Sequence, residues 1–360
     1  MRPLLLCLFL SGCSTCTSKP APAPVDAGPK YFKVDLHVHA SPAAIPRLLR
    51  LMDERAIDVA VNLSGGWPGA GLEDSLEAAK QAKGRVVVFA NPPLHLLSYG
   101  LEPKALADEL AQAHAMGARG VKLFKALGLG YRDADGSLIA VDDPRLDALF
   151  EKAGELGMPV SIHTGDPIAF WSAVDEKNER FDELNAHPGW SYFGKDVPSW
   201  EALFAAYERR VARHPKTNII GVHFGNAPEL PERVGAMLEK YPNLYVDTAA
   251  RVPELGRKAS VVRALFLRYP DRIVFGTDLG VGETPEDLML GSTGLLPPNR
   301  ADVDRFFSAT WRFMETKDTA FAHPTPIQGR WTIDGLGLPP EVLRKIYSEN
   351  AAKLLHADWR

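Results

Sequence analysis

Residues 34–39 read VDLHVH, and apolar and polar residues alternate in this stretch with a period of two. On a β-strand, successive side chains point to opposite faces, so Asp35, His37 and His39 would share the face that looks into the protein. Positions two apart lie about 7 Å from each other, which lets both imidazoles reach one ion. An HxH pair alone is weak evidence, because one inward His is more often a hydrogen-bonded core residue.

The theme of a short β-branched run followed by an amphipathic helical pattern recurs from residue 31 onward. Eight segments predict strands: 33–39, 58–63, 85–90, 120–124, 159–163, 218–223, 243–248 and 272–278. Helical patterns separate or follow them at 72–83, 104–116, 144–156, 200–214, 231–240, 260–268 and 340–355. This alternation predicts an α/β protein with a (β/α)₈ TIM barrel. A doubly wound open sheet is the competing fold, but no G-x-G-x-x-G follows the first strand.

Two connections are longer than ordinary strand-to-helix loops: 164–199 after the fifth strand and 279–338 after the eighth. Both leave the carboxyl ends of strands, the face on which barrel enzymes place their active sites. Their aromatic residues include Phe170, Trp171, Trp190, Tyr192, Phe193, Phe306, Phe307, Trp311, Phe313 and Trp331. We interpret the two connections as a lid that also packs, with Trp171 as a candidate substrate contact. The alternative is additional packing around the barrel.

The first thirty residues have a different character. Arg2 precedes a short apolar run, and residues 10–13 read LSGC, which is similar to a bacterial lipoprotein signal. This resemblance predicts a signal peptide at 1–12, lipidation of Cys13 and, because serine follows that cysteine, the outer membrane. Residues 13–30 are rich in Pro and Ala and predict a tether, which leaves 31–360 as the folded domain. An ordinary secretory signal is the alternative.

Composition narrows the partners. The chain is 46% hydrophobic and 24% charged, with net charge −4 and no cluster of Lys and Arg, which favours a small-molecule substrate over nucleic acid. The only membrane contact expected is through the N-terminal lipid, and a homo-oligomer stays open. All three cysteines lie in the first sixteen residues, so a metal in the folded domain would have to be bound by His and carboxylate.

Further ligand-type side chains end other predicted strands: His163 the fifth, His223 the sixth and Asp278 the eighth. The predicted inward residues just before them are all small, which leaves room for convergence: Ser161, Gly221 and Gly276. Five such side chains at matching strand ends predict a divalent metal site. Imidazole and carboxylate ligands suit Zn²⁺ first, and also Mn²⁺, Fe²⁺ and Co²⁺.

This pattern resembles the amidohydrolase superfamily, and within it the amidohydrolase-related branch that includes aminocarboxymuconate-semialdehyde decarboxylase. The stretches IHT at 162–164, DTA at 247–249, FGTD at 275–278 and IYSENA at 346–351 are similar to that branch. The resemblance extends over nearly the whole chain from residue 31 and does not identify a substrate.

The resemblance implies that His37, His39, His163 and Asp278 bind one ion. It also implies that Asp278 accepts a proton from an activated water, and that His223 is either an acid/base group or a further ligand. The expected activity is hydrolysis of a C–N or C–O bond in a small molecule. The alternatives are non-oxidative decarboxylation on the same scaffold and a non-catalytic binding lipoprotein, which the complete ligand set disfavours.

Three cationic side chains have two interpretations each. Lys122 points inward on the fourth strand. In binuclear relatives a lysine at this position is carboxylated and bridges two ions. We favour a site with a single ion, in which Lys122 would instead pair with Asp247 or Asp35. Lys125 and Arg251 lie near the carboxyl face and would bind an anionic part of the substrate; a solvated lysine and a surface ion pair are the alternatives.

Overall fold

A computed structural model describes residues 31–359. The predicted signal peptide at 1–12, the lipidation site Cys13 and the tether at 13–30 lie outside the described residues. Within the described part of the chain, no helix combines the length and apolar character needed to cross a bilayer.

The β-branched runs form parallel strands where the sequence predicts them. They are β1 (Val34–Ala40), β2 (Val59–Asn62), β3 (Val86–Val88), β4 (Val121–Leu123), β5 (Val160–Ile162), β6 (Ile219–Gly221), β7 (Leu244–Asp247) and β8 (Ile273–Val274). The chain continues from β8 into β9 (Leu279–Val281), which pairs in parallel with β1, and β10 (Leu288–Leu290) pairs antiparallel with β9. A separate hairpin joins β11 (Phe321–Ala322) to β12 (Thr332–Ile333).

The strands form two five-stranded sheets, in the orders β10-β9-β1-β2-β3 and β4-β5-β6-β7-β8. Backbone hydrogen bonds link these sheets at both junctions. At the junction of β3 and β4, the backbone N–H of Lys122 donates to the carbonyl of Ala90 at 2.9 Å. At the junction of β8 and β1, the backbone N–H of Asp278 donates to the carbonyl of His37 at 2.9 Å. The eight parallel strands therefore follow one another around the (β/α)₈ barrel that the sequence predicts.

Amphipathic helices cover the outside of the strands. The longer ones are Ile45–Arg55, Leu72–Gln81, Pro103–Met116, Asp147–Glu155, Trp200–Arg213, Pro231–Lys240, Ala259–Arg268 and Arg300–Glu315. Short helical segments include Ala126–Leu129, Phe181–Ala186, Val222–Gly225 and Val252–Leu255, and the chain closes with Pro340–Arg344, a π-helical turn at Lys345–Glu349, and Asn350–Leu354. Side-chain caps start two of the long helices: Ser199 accepts from the N–H of Ala202, and Asn299 forms a capping box with Asp302.

Strand β1 contains a bulge that the sequence pattern hides. Asp35 is paired with Ala60 of β2, but Val38 is paired with Asn62, so three steps along β1 match two along β2. The extra residue shifts the alternation. Beyond it, His37 faces the interior, in agreement with the prediction.

The predicted orientation of the side chains is wrong for the residues of β1 that precede the bulge. Val34 and Leu36, expected to contact helices, pack with residues of strands on opposite sides of the ring, which is possible only inside the barrel. Those residues are Val59, Val61, Ile220, Tyr245 and Val274. Asp35, expected inside, is turned to Thr277 beside β8, whose hydroxyl donates to it at 2.6 Å.

The small residues below the site have different roles. A Cβ on Gly276 would lie 2.9 Å from that of His37, so this glycine makes room for the imidazole as predicted. At Gly221 the prediction of an inward position is wrong, because a Cβ there would meet the hydroxyl of Tyr207 on an outer helix at 2.1 Å. His223 nevertheless reaches the interior, since the backbone after β6 turns left-handed at His223 and Phe224, with φ of 55° and 56°.

The aromatic residues of the connection after β8 mostly pack on the barrel, whereas its residues Met289, Gly291, Ser292 and Gln328 line a cavity beside Asp278. Its aromatic residues lie mostly on the helix Arg300–Glu315, where Phe306, Phe307 and Phe313 are buried against the barrel. Trp311 of the same helix packs at a tilt against Phe275, with ring centroids 5.2 Å apart. An apolar helix face gains more from burial on the barrel than from covering a polar site.

Candidate metal centre

Three of the predicted ligands meet at the carboxyl ends of β1 and β8. Nε2 of His37 lies 3.3 Å from Oδ1 of Asp278, and Nε2 of His39 lies 3.4 Å from the same oxygen. The ligand atoms of the three residues all lie within 4.8 Å of one another. Two imidazole nitrogens and a carboxylate oxygen converging on one point form a donor set suited to a divalent ion.

The hydrogen bonding of His37 tests whether an ion fits. Its Nδ1 donates to Oδ2 of Asp247 at 2.7 Å, which leaves a lone pair on Nε2. Nε2 is buried, and no donor among residues 31–359 bonds to it. A buried acceptor without a partner is costly, whereas a histidine held by a carboxylate through one nitrogen is a typical metal ligand through the other. The residues therefore fit a divalent ion.

His39 and Asp278, which form the metal triad with His37, are in the protonation states that a metal ligand needs. Burial lowers the pKa of His39, which keeps its imidazole neutral, and its Nδ1 lies 2.7 Å from the hydroxyl of Ser64. Burial alone would raise the pKa of Asp278, but the neighbouring His37, His39 and His223 hold it well below the ordinary value. Asp278 is therefore ionised.

The backbone at the site is strained. Asp278 has a φ of 62° and His223 a φ of 55°, and Ala250, just after β7, has 56°. Left-handed backbone is unfavourable for residues other than glycine and is concentrated at functional sites. Here it turns the chain at the strand ends so that the side chains of Asp278 and His223 point toward His37.

The structure does not place His163 within the metal triad of His37, His39 and Asp278. Its Nε2 lies 3.1 Å from the carbonyl of Gly165 and 3.6 Å from Oδ1 of Asp166. Its ring packs edge-on against that of His223, with centroids 4.3 Å apart. Burial lowers the pKa of His163 to about 4, so its imidazole is neutral and lies beside the triad.

His223 has one ring nitrogen occupied. Its Nδ1 lies 2.9 Å from the carbonyl of Ala249, so Nδ1 carries the proton and Nε2 is an acceptor. Burial, with repulsion from His163 and Arg251, holds the pKa of His223 well below its ordinary value. The ring centroid lies 5.1 Å from that of His37. His223 is therefore a neutral group that presents a lone pair next to the triad.

Sequence analysis gave Asp247 no role in the site, since it was considered only as part of the DTA stretch and as a partner of Lys122. One carboxylate oxygen accepts from Nδ1 of His37, and the other accepts from the backbone N–H groups of His223 and Ala249 at 2.7 and 3.2 Å. A signal was present, because Asp247 follows the inward Tyr245 by two positions and ends its strand as the other site residues do.

Lys122 is buried in the barrel, as predicted, but its predicted ion pairs are not seen. Its Nζ has no hydrogen-bond partner in the described chain, and both Asp247 and Asp35 are bonded elsewhere. Burial lowers the pKa of Lys122 to about 8, against the attraction of Asp278 and Asp247. The nearest aromatic contact is Phe124, whose ring centroid is 5.7 Å from Nζ.

A cavity of about 160 Å³ opens beside Asp278 and His223. Its apolar lining comes from Phe170, Trp190 and Met289. Trp171, the predicted contact, is not part of the lining: its ring packs on Tyr192 with centroids 4.5 Å apart, and its Nε1 donates to the carbonyl of Pro198 at 2.9 Å. Its neighbour Phe170 occupies the position expected for it.

The two cations predicted near the substrate differ in their pairing. Nζ of Lys125 donates to Asp166 at 2.6 Å, and the hydroxyl of Tyr192 donates to the same oxygen at 2.8 Å. The charge of Lys125 is therefore balanced by a carboxylate that sequence analysis did not single out. Arg251 is buried, donates to the carbonyl of Ala250 at 3.0 Å, and forms no ion pair with an acid of the described residues.

The role of Asp247 can be tested by Asp247→Asn, which keeps the shape and removes the charge. Because His37 then loses the carboxylate that fixes its tautomer, we expect metal affinity to fall about 10- to 100-fold, measured by competition with a chelator. The exposed Asp74→Asn provides the matched control. Unchanged affinity in a folded Asp247→Asn protein would contradict this role.

The unpaired Lys122 can be tested by Lys122→Met in chelator-treated protein. Below pH 8 both folded and unfolded states hold the proton, so the folded state bears the full cost of the buried charge; that cost fades as the pH rises toward the ordinary lysine value of about 10.4. We expect Lys122→Met to be more stable by about 2–3 kcal/mol at neutral pH, with the gain shrinking above pH 8.

Urea unfolding across this pH range measures the effect, and the exposed Lys353→Met is the control for loss of a surface charge. A Lys122→Met protein that is less stable than wild type at neutral pH would show that the amine has a stabilising partner.

Comparison with known proteins gives a family. The family model described as "Amidohydrolase" matches residues 51–357. A search of curated proteins found no match. Among solved structures, a putative amidohydrolase from Staphylococcus aureus is 17% identical, with a TM-score of 0.54, and covers 90% of this chain and 99% of its own.

Two further solved structures have named activities. The 4-oxalomesaconate hydratase from Rhodopseudomonas palustris is 14% identical, with a TM-score of 0.51 and coverage of 90% of this chain and 96% of its own. A dihydroxybenzoic acid decarboxylase from a Polaromonas species, with bound manganese and an inhibitor, is 15% identical, with a TM-score of 0.50 and coverage of 91% and 97%. At these identities the likeness shows the fold alone, whereas the family model matches most of the sequence, and the chain therefore belongs to the amidohydrolase family.

Proposed function

We propose that this protein is a metal-dependent hydrolase that uses water to cleave a C–N or C–O bond of a small molecule. The observation that carries the proposal is the convergence of His37, His39 and Asp278, with Nε2 of His37 buried and without a partner in the described chain. A catalytic assignment is further supported by the strained backbone at Asp278 and by the neutral His223 beside it.

His37, His39 and Asp278 would hold one ion, and His163 is the candidate for a fourth ligand. A divalent ion held there would supply Lewis acidity and lower the pKa of a water molecule. Zinc suits this donor set best. Manganese is the second candidate, because the Polaromonas decarboxylase of the same fold has manganese bound. The unpaired ammonium of Lys122 balances charge near Asp278 without a second ion.

The protein groups divide the proton transfers between them. Asp278 is ionised and accepts the proton of the attacking water. His223 presents the lone pair of Nε2, since Nδ1 is bonded to the carbonyl of Ala249, so it orients water or a substrate N–H rather than donating to a carbonyl oxygen. The proton held by Asp278 then passes to the departing nitrogen or oxygen as the bond breaks.

Substrate binding would fall to the cavity wall. Arg251 is a buried cation without an ion-pair partner among the described acids, so we assign it to a carboxylate of the substrate. The charge of Lys125 is balanced by Asp166. Lys125 would therefore hold the carboxylate of Asp166 in place rather than bind the substrate. The cavity of about 160 Å³ is smaller than the roughly 300–1,000 Å³ typical of pockets for drug-sized ligands, which favours a small substrate.

Decarboxylation is the second candidate, because a decarboxylase shares this fold and an arginine suited to a carboxylate lines the cavity. The two reactions differ in the fate of water. Hydrolysis places one solvent oxygen in the product, whereas decarboxylation releases CO₂ without water uptake.

We expect turnover of small amides or esters in H₂¹⁸O to place the label in the product acid, read by mass spectrometry. His223→Asn, chosen because asparagine tolerates the left-handed backbone, should lower kcat by about 10²- to 10⁴-fold with its metal content unchanged. His114→Gln, on an outer helix, is the control. Unlabelled product with CO₂ release would overturn hydrolysis, and loss of the metal in His223→Asn would make His223 a ligand.

A further inference from the structure

Gln328 lies in the cavity wall with a free hydrogen-bonding atom. The residue follows the short hairpin strand β11 and is only 1% exposed. Its side chain lines the same cavity as Asp278 and His223. Oε1 of Gln328 is buried, and none of the donors in residues 31–359 bonds to it.

The neighbouring carbonyl fixes which amide atom is free. Nε2 of Gln328 donates to the carbonyl of Gly291 at 3.4 Å. Reversing the amide would place two oxygens against each other, so the observed orientation is the favourable one. The amide nitrogen is thus engaged by the protein, and the acceptor oxygen is left for another partner.

Gln328 and Arg251 belong to one wall. A Cβ on Gly291 would lie 3.4 Å from the Cα of Ala250, so the segment that Gln328 contacts packs directly against the residue before Arg251. Two other polar side chains of this wall, Ser292 and Glu183, are occupied: Ser292 donates to one oxygen of Glu183 at 2.5 Å, and the second oxygen of Glu183 accepts from Arg180 at 2.7 Å.

Arg251, which has no ion pair, and Oε1 of Gln328, which has no donor, are therefore complementary. Arg251 offers N–H donors and a positive charge, and Gln328 offers an acceptor. Leaving a buried amide oxygen without a donor is costly, so a ligand that brings an N–H or O–H to Gln328 gains more than one that does not. A ligand that brings only a methyl group leaves that cost in place.

We propose that Gln328 is a specificity-determining residue, and that the protein selects small carboxylates that also carry an N–H or O–H donor. Arg251 binds the carboxylate, and Oε1 of Gln328 accepts from the donor group. This inference rests on the proposed function only in placing the substrate in this cavity, and it names the substrate class: carboxylate-bearing amides, amines or alcohols rather than simple esters.

Two probes of equal charge and similar length test the proposal by calorimetry on the protein as purified. Succinamate carries a carboxylate and an amide N–H, whereas monomethyl succinate replaces the amide with an ester that has no donor. We expect wild-type protein to bind succinamate about tenfold more tightly, the value of one buried hydrogen bond. Gln328→Met, which keeps the length and removes the acceptor, should bind both probes alike.

Two variants separate the contributions. Gln328→Leu repeats the test if the methionine variant does not fold, and Met289→Leu, an apolar change in the same cavity, should keep the preference. Arg251→Gln should weaken the binding of both probes by a similar factor. Equal affinity in the wild type, a preference that survives in Gln328→Met, or failure of succinamate to bind would each overturn the proposal.

The outcome is separable from that of the proposed hydrolysis. Both probes carry the same carboxylate, so the contribution of Arg251 cancels in their ratio, and comparing that ratio between wild type and Gln328→Met removes any difference in how a metal contacts the amide and the ester. A preference lost with Gln328 in a protein that hydrolyses nothing would sink the hydrolase assignment alone. Hydrolysis without the preference would sink only the role of Gln328.

Discussion

The hydrogen bond from Nδ1 of His37 to Asp247, 2.7 Å long, links the metal-facing histidine to the segment that holds His223. It spans the barrel from β1 to β7, fixes the tautomer of His37 and leaves Nε2 with a lone pair. The other oxygen of Asp247 holds the backbone N–H of His223, where the chain turns left-handed after β6. One buried carboxylate therefore sets both the metal-facing nitrogen of His37 and the position of His223, as expected of residues that orient metal ligands.

Charge balance explains why these groups tolerate burial. Asp247 and Asp278 attract the buried ammonium of Lys122, Arg251 is a second buried cation that lines the cavity with Asp278, and burial raises the pKa of Asp35 to about 7 despite its bonds to Thr277 and His37. A divalent ion between His37, His39 and Asp278 would pair with the ionised Asp278 and with the free Nε2 of His37, which is why the donor set fits one.

Much of this arrangement could be predicted from the sequence, because the helical and strand periods are strong and the ligand-type residues end successive strands. The β1 bulge could not, since VDLHVH alternates with or without an extra residue, and the bulge exists only relative to the register of β2. The inward turn of His223 depends on two left-handed residues with no glycine to signal them. The aromatic residues 306–313 were misjudged because their helical period was read as loop composition.

The metal centre itself is the claim on which the proposed chemistry depends. The most direct measurement is a crystal structure of the protein as purified, with anomalous diffraction data collected at the zinc and manganese edges. The account predicts a single anomalous peak within bonding distance of Nε2 of His37, Nε2 of His39 and the carboxylate of Asp278. A folded protein that shows no peak there, or whose ion is held by other residues, would contradict it.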